Sequence, residues 1–292
     1  MICHPSAGRL LNRPPNNKNF MSATRVGENS VQENMENLYF DFQADMGFTK
    51  HMGAQDATEQ LIELTHIQAD SSVLEVGCGV GITAIHLTEK IGCKVAAVDV
   101  REKMVAGAER KAGKLGLKGK IDFRTAEAEN LPYHDKLFHA VICESVNTFV
   151  DDKQQAFDEY YRVLKSDGWL VINEATWLKE PTEEVRRYVT RFITQGDFPP
   201  EKEWRKYLQN AGFENISSHV KQTNIKEEAL SRIRRYGLGT LLRIWFRAIK
   251  LYFTRKEYRK FIKAAFGATS GGIGEFISYT GYGLYSGQKL DS

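Results

Sequence analysis

A chain of 292 residues, 42% hydrophobic and 26% charged, has the composition of a soluble globular protein and is long enough for one large α/β domain with an elaboration. It contains no run of about 18 apolar residues, which argues against a spanning helix, and its start lacks the apolar core of a secretory signal. The net charge of +3 is uneven: residues 225–265 hold 12 Lys and Arg against 3 Glu, a surplus of +9 that leaves −6 for the remainder.

Taken in order, residues 1–35 mix Pro, Asn, Ser, Gly and Arg without an apolar period and read as a disordered segment, with Met1 or Met21 as the start. A single domain over 36–292 follows. Its first feature is an aromatic crowd, Leu38, Tyr39, Phe40, Phe42, Met46 and Phe48, just before His51; it either covers a ligand or packs an N-terminal helix on the domain. Helical spacing of Ala57, Leu61 and Leu64 predicts a helix over 57–65. Four cysteines, Cys3, Cys78, Cys93 and Cys143, have no paired spacing, so they read as reduced thiols of a cytoplasmic protein with neither disulfides nor a metal site.

The stretch Val73-Leu74-Glu75-Val76-Gly77-Cys78-Gly79-Val80-Gly81 is a short apolar strand running into three glycines at alternate positions, with a helical pattern over Ile82 to Ile91 behind it. Glycine permits a tight turn and lets the main chain approach a ligand. A dinucleotide-binding turn spaces its glycines G-x-G-x-x-G, whereas here they fall G-x-G-x-G after an acid. Glu75 would repel a pyrophosphate but suits a ligand carrying positive charge.

This nonapeptide resembles motif I of the class I S-adenosylmethionine-dependent methyltransferases, of the methyltransferase type 11 or UbiE-like small-molecule kind. The ordered elements downstream carry the resemblance on to about residue 220. Cys93 to Asp99 is an apolar strand closing on an acid, as in a parallel sheet. The resemblance implies that Asp99 accepts the ribose hydroxyls; the other reading is a cap on the helix beginning near Glu102. Ile121 to Arg124 is a third strand, and Ala126 to Tyr133 resembles the family's adenine loop, with Glu127 where aspartate is usual and Ala128 supplying a backbone amide. The fourth strand, Ala140 to Cys143, ends on Glu144 and Ser145, a pair similar to one in sterol and tocopherol methyltransferases. An amphipathic helix over 153–164 leads through Lys165 to Gly168, read as a type I turn, into a fifth strand, Trp169 to Glu174. A crossover helix over 199–211, a strand over 213–220 and a last strand over 282–288, antiparallel, complete the set.

The resemblance thus implies a doubly wound, Rossmann-like seven-stranded α/β sheet whose last strand is antiparallel, with a helical lid inserted over 225–280 between strands six and seven. It implies S-adenosylmethionine as cofactor, bound by Glu75, Gly77, Cys78, Gly79, Gly81, Asp99, Val100, Met104, Glu127, Ala128 and Glu144. Acceptor-side or catalytic candidates are Glu144, Glu174 and His51, together with Asn147 and Tyr39 on the acceptor side. Methyl transfer is an in-line displacement that needs alignment and no metal. The expected acceptor is small and lipophilic. A polar or protein acceptor, or a membrane-associated protein without catalysis, stands as the alternative.

Within the insertion, Arg243, Arg247 and Lys250 recur at helical i, i+4, i+7 spacing beside broad apolar faces. Such a helix is either a lid with its basic face in solvent or a peripheral membrane contact through 238–263. Nucleic acid is not an expected partner, because the rest of the chain is acidic overall and no RNA-binding motif is present. Oligomeric state, the methylated atom and the general base are open at this level.

Overall fold

Apolar runs too continuous for a one-faced strand become the centre of a parallel sheet. The structure is a computed structural model that describes residues 37–47, 52–192, 198–268 and 273–291. The expected start segment 1–35, His51 and Phe48 therefore lie outside the described residues. Strands β1 (Ser72–Val76), β2 (Lys94–Asp99), β3 (Ile121–Thr125), β4 (Phe138–Glu144), β5 (Leu164–Trp177), β6 (Glu214–Gln222) and β7 (Thr280–Gln288) form one sheet in the order β3-β2-β1-β4-β5-β7-β6. The first five run parallel; β7 is antiparallel to β5 and β6. As expected the last strand is antiparallel, but it lies between β5 and β6 and leaves β6 at the edge.

Because side chains alternate across a strand, neighbours in β1 serve two cores. Leu74 and Val76 pack with Phe157 and Tyr160 of α5 (Lys153–Val163) and Trp204 and Leu208 of α7 (Glu201–Asn210). Val73 packs the other way, with Ala57 and Leu61 of α2 (Ala54–Leu64), Ala84 and Ile85 of α3 (Ile82–His86), and Ala112 of α4 (Glu102–Lys114). Each fully buried large side chain of this kind contributes about 1.5–3 kcal/mol, and Trp204 also donates its indole N–H to Ala175 O at 3.2 Å.

The helix expected over 82–91 is present and widens at Leu87–Ile91 into a π-helical turn, closed by Gly92 N donating to Leu87 O at 3.0 Å with Gly92 at φ 86°. One local expectation is corrected. The turn at 165–168 is not type I, since Asp167 has φ 61°, a left-handed value that aspartate tolerates and type I excludes.

Helix α1 (37–46) lies before α2, and α6 (Glu183–Phe192) between β5 and α7. The insertion between β6 and β7 is helical: α8 (Ile225–Thr254), broken by the extended, positive-φ backbone of Gly237, then α9 (Lys256–Ala268) and α10 (Ile273–Tyr279). Gln222 at the end of β6 pairs with Gly281, and Thr280 with Trp177 at the end of β5. The insertion consequently leaves and rejoins the sheet at the carboxyl ends of its parallel strands, the edge where open α/β sheets bind ligands.

Candidate cofactor and acceptor site

At that edge β1 runs into Gly77, Gly79 and Gly81, with φ of 72°, 52° and 74°. Left-handed backbone explains the residue type, and packing reinforces it at two of the three. A Cβ on Gly77 would overlap Val146 Cγ2, and one on Gly81 would stand 2.8 Å from Ala108 Cβ of α4. The turn is stitched to β2: Gly77 N and Cys78 N donate to Val98 O at 2.8 and 2.9 Å.

Two carboxylates converge here, both nearly enclosed, Glu75 at 5% and Asp99 at 9% exposure. Asp99 Oδ2 accepts from Gly79 N and Oδ1 from Arg101 N, each at 2.9 Å. Arg101 is the N-cap of α4, which has no side-chain cap, so the capping alternative for Asp99 is not realised within the helix. Burial pushes the Asp99 carboxyl above its ordinary range despite those two amides and the charge of Arg101. The same local field reaches Cys78, whose thiol is held well above its usual value by burial first and then by Glu75 and Asp99. A bare glycine backbone with two buried carboxylates fits a ligand that carries an ammonium, a sulfonium and a vicinal diol.

The other expected cofactor residues surround this cradle. Val100 is 59% exposed beside Asp99. Met104 is buried among Val80, Ile82, Ala44 and Phe40, so α1 covers it. Ala128 is buried and Glu127 exposed, in a loop joined to β2 by Ala126 N donating to Asp99 O at 3.1 Å. The hydroxyl of Tyr133 is enclosed with no hydrogen-bond partner, and burial, then the charge of Asp122, pushes it up to about 12.

Arg162 holds this loop, a role that sequence reading missed. It donates to Tyr133 O at 2.8 Å and Leu131 O at 3.2 Å while paired with Glu159 and Asp135. Glu159 Oε2 in turn accepts from Leu131 N at 2.8 Å.

The acceptor-side carboxylates have more tightly committed surroundings than expected. Glu144 accepts from Thr58 Oγ1 at 2.8 Å and Thr83 Oγ1 at 2.9 Å, tying β4 to α2 and α3. Glu174 is fully buried and does not open onto the cleft. Its Oε1 accepts from Val146 N, Asn147 N and Asn147 Nδ2 at 2.8–3.0 Å, and its Oε2 from Thr148 N and Oγ1 at 3.3 and 3.1 Å. Burial outweighs these bonds and raises its carboxyl. Asn147, equally buried, also accepts from Tyr160 at 2.9 Å. Between the two acids Ser145 sits at φ 58°, its amide donating to Asn173 O at 2.7 Å and its hydroxyl enclosed without a partner.

Beyond β5 lies an apolar cluster, in which Trp177, Val185, Val189 and Phe198 pack with Met52, Phe276 and Tyr279. Over the cofactor side α1 is an aromatic cover, with Phe40 edge-on to Phe149 at 5.1 Å and Phe42 to Tyr258 at 5.3 Å; Tyr39, an acceptor candidate, packs on Phe40 and Phe261 instead. This cover is latched by Asp45, which binds Lys103 Nζ at 3.0 Å and the Tyr258 hydroxyl, joining α1, α4 and α9. Among the described residues, no group of three or more His, Cys, Asp or Glu is placed to hold a metal.

Residues 74–172 match the family model described as a methyltransferase domain. An uncharacterised protein of Haemophilus influenzae is 33% identical over 61% of this chain and 72% of its own length. Phosphoethanolamine N-methyltransferase 1 of Zea mays is 25% identical over 56% of this chain; the match spans about a third, 32%, of the maize protein. Phosphoethanolamine N-methyltransferase 2 of Haemonchus contortus, solved with phosphomonomethylethanolamine and S-adenosylhomocysteine, superposes with a TM-score of 0.68 at 16% identity, covering 86% of this chain and 57% of that one. At that identity the likeness is one of fold.

Proposed function

The chain belongs to the S-adenosylmethionine-dependent methyltransferase family, whose methyl donor is that cofactor, and on this premise we propose that it methylates a small, lipophilic acceptor. The observation that carries the reading is the pair of buried carboxylates, Glu75 and Asp99, closing on a left-handed glycine turn. Glu75 holds the ammonium end of the ligand, Asp99 its ribose diol, and Glu127 with the Ala128 amide its adenine edge. Gly77, Cys78, Gly79 and Gly81 leave the main chain bare along its length, while Val100 and Met104 bound the ring.

When bound, the cofactor supplies a methyl group on a cationic sulfur, open to in-line displacement. The protein's task is alignment in a site poor in water. Glu144, through Thr58 and Thr83, and Glu174, through the 146–148 turn, act as positioning residues at the edge where the acceptor enters, and His51 stays an acceptor-side candidate with no assigned role. The apolar cluster of Trp177, Phe198, Phe276 and Tyr279 at the end of β5 supports a lipophilic acceptor. A polar, phosphate-bearing acceptor is the second reading, favoured by the likeness to the maize protein.

The test is titration calorimetry of S-adenosylmethionine and S-adenosylhomocysteine into wild type and Asp99→Ala, followed by S-adenosylhomocysteine release with prenylated quinones, sterols, phosphoamines and peptides as acceptors. Saturable binding lost in the variant, and turnover confined to the apolar acceptors, is the expected result. Equal binding by the variant overturns the site. Turnover only with phosphoamines or peptides overturns the lipophilic reading, and binding without turnover on any acceptor favours the non-catalytic alternative.

A further inference from the structure

Past Gly237, the second half of α8 carries two kinds of surface. At 3.6 residues per turn, Leu238, Leu242, Trp245, Phe246 and Phe253 fall within a sector of roughly 100°, and Lys250, Arg243 and Arg247 occupy the adjoining sector. The apolar side chains are 65%, 55%, 59%, 63% and 69% exposed, and all three cations are exposed. The remaining side is taken by the half-buried Leu241, Ile244, Ala248, Leu251 and Tyr252, and Ile249 is half-buried within the apolar sector. Five large apolar side chains and three cations nevertheless stay exposed, more than a simple lid helix would need.

Charge identifies the occupant. Between Glu228 and Glu257 the sequence has eight Lys and Arg and no Asp or Glu. Arg247 and Lys250, with Arg255, also line an open cavity of about 570 Å³ beside Asp45, with Phe246 and Leu251 completing it. A second copy seated on this face would bring like charges together, whereas an anionic bilayer offers phosphates to the cations and acyl chains to the rings. No helix among the described residues is long and apolar enough to cross a membrane, so the geometry is that of a helix lying in the interface.

We propose that residues 238–255 dock this protein on an anionic lipid surface, with Leu238, Leu242, Trp245, Phe246 and Phe253 entering the acyl boundary and Arg243, Arg247, Lys250 and Arg255 meeting headgroup phosphates. The docking does not depend on methyl transfer. It adds a source for the acceptor: a lipophilic molecule would reach the carboxyl edge of the sheet from the bilayer on which the insertion rests.

The experiment is co-sedimentation of the full chain with sucrose-loaded vesicles of phosphatidylcholine alone or with about 30% phosphatidylglycerol, at about 0.1 M salt. Wild type is expected to bind the anionic vesicles at least about tenfold more tightly than the neutral ones. Arg243→Glu with Arg247→Glu should lower anionic binding by about tenfold or more, and so should Leu242→Ser with Phe246→Ser, which keeps every cation. Trp245 is the exposed one of four tryptophans, so its emission should shift to the blue on binding. Calorimetric affinity for S-adenosylmethionine, unchanged in both double variants, verifies folding and separates this outcome from failure of the cofactor reading. Absence of binding by folded wild type, equal binding to neutral vesicles, or charge variants that bind as wild type would overturn the proposal. So would a dimer in sedimentation velocity that both double variants abolish, which would assign the face to a second copy.

Discussion

Asp99 Oδ2 accepts the backbone N–H of Gly79 at 2.9 Å, so the acid that ends one strand also sets the turn that ends its neighbour. The carboxyl is buried and titrates above its ordinary range. A raised carboxyl contributes stability that is fully present below its unfolded value and lost as pH rises through the folded one. Ligand binding has the opposite sign, because only the ionised form accepts both hydroxyls of a diol. Affinity for S-adenosylmethionine should therefore fall on acidification, with an inflection above that of an ordinary aspartate. In Asp99→Asn the inflection should vanish and affinity drop about 10- to 100-fold, or ~1.5–3 kcal/mol. Calorimetry between pH 4 and 8, a window that opens just above the ordinary aspartate value of about 3.9, checks both.

Gly77→Ala should distort the turn, since the new Cβ needs both a left-handed backbone and the volume of Val146 Cγ2. A loss of about 1–3 kcal/mol is expected from strain. Val146→Ala in the same chain should restore part of it, and only the steric part. Chemical denaturation of the two singles and the double measures the coupling.

Glu174→Gln places an NH₂ group among donors. Whichever way the amide turns, it faces either Thr148 N and Oγ1 or the amides of Val146 and Asn147. Stability should fall by about 1–3 kcal/mol. Because the wild-type carboxyl is raised by burial, wild-type stability should also decline as pH climbs from the ordinary glutamate range through the raised value. That decline should be missing in the variant, which denaturation series at several pH values would reveal.

Arg162→Lys keeps the charge but not the fork that reaches Tyr133 O and Leu131 O together. The loop over 126–133, proposed to meet adenine, should loosen while the carboxyl ends of β4 and β5 are unchanged. A rise of several-fold in KM for S-adenosylmethionine with kcat nearly constant is the expected signature, from steady-state kinetics with the identified acceptor.

Tyr258→Phe removes one partner of Asp45 and leaves Lys103. Burial alone would raise the Asp45 carboxyl, but bonds from Tyr258 and Lys103 bring it below its ordinary value. This lowered carboxyl contributes stability above its unfolded value, lost as pH falls through the folded one. The pair is partly exposed, so about 1 kcal/mol or less is at stake. The visible effect should be kinetic, a faster release of S-adenosylhomocysteine from under α1, measured by stopped-flow.

What sequence made legible was what local chemistry dictates. The strands at Val73, Cys93, Ile121, Ala140 and Trp169 declare themselves by apolar runs ended by glycine or an acid, and each lies within a few residues of its observed bounds. Asp99 and Glu75 are likewise adjacent in sequence pattern to the glycine turn that they flank in the structure. Local pattern carried no trace of partners distant in the chain. The place of β7 inside the sheet is decided by pairing with β5 and β6, and the enclosure of Glu174 by a turn 26–28 residues earlier. The Asp45, Lys103 and Tyr258 latch joins positions 58 and 155 residues apart. Gly237 was visible as a letter, but a glycine inside a helical pattern does not announce a break.

Gln222 and Gly281 face each other across β6 and β7, so everything between them hangs from a single antiparallel hairpin. Removing residues 223–279 in favour of a tight turn would leave every strand pairing intact. The sheet and the helices that cover its edge are thereby separable units of inheritance: a descendant could exchange the inserted helices for others without re-solving the folding of the sheet.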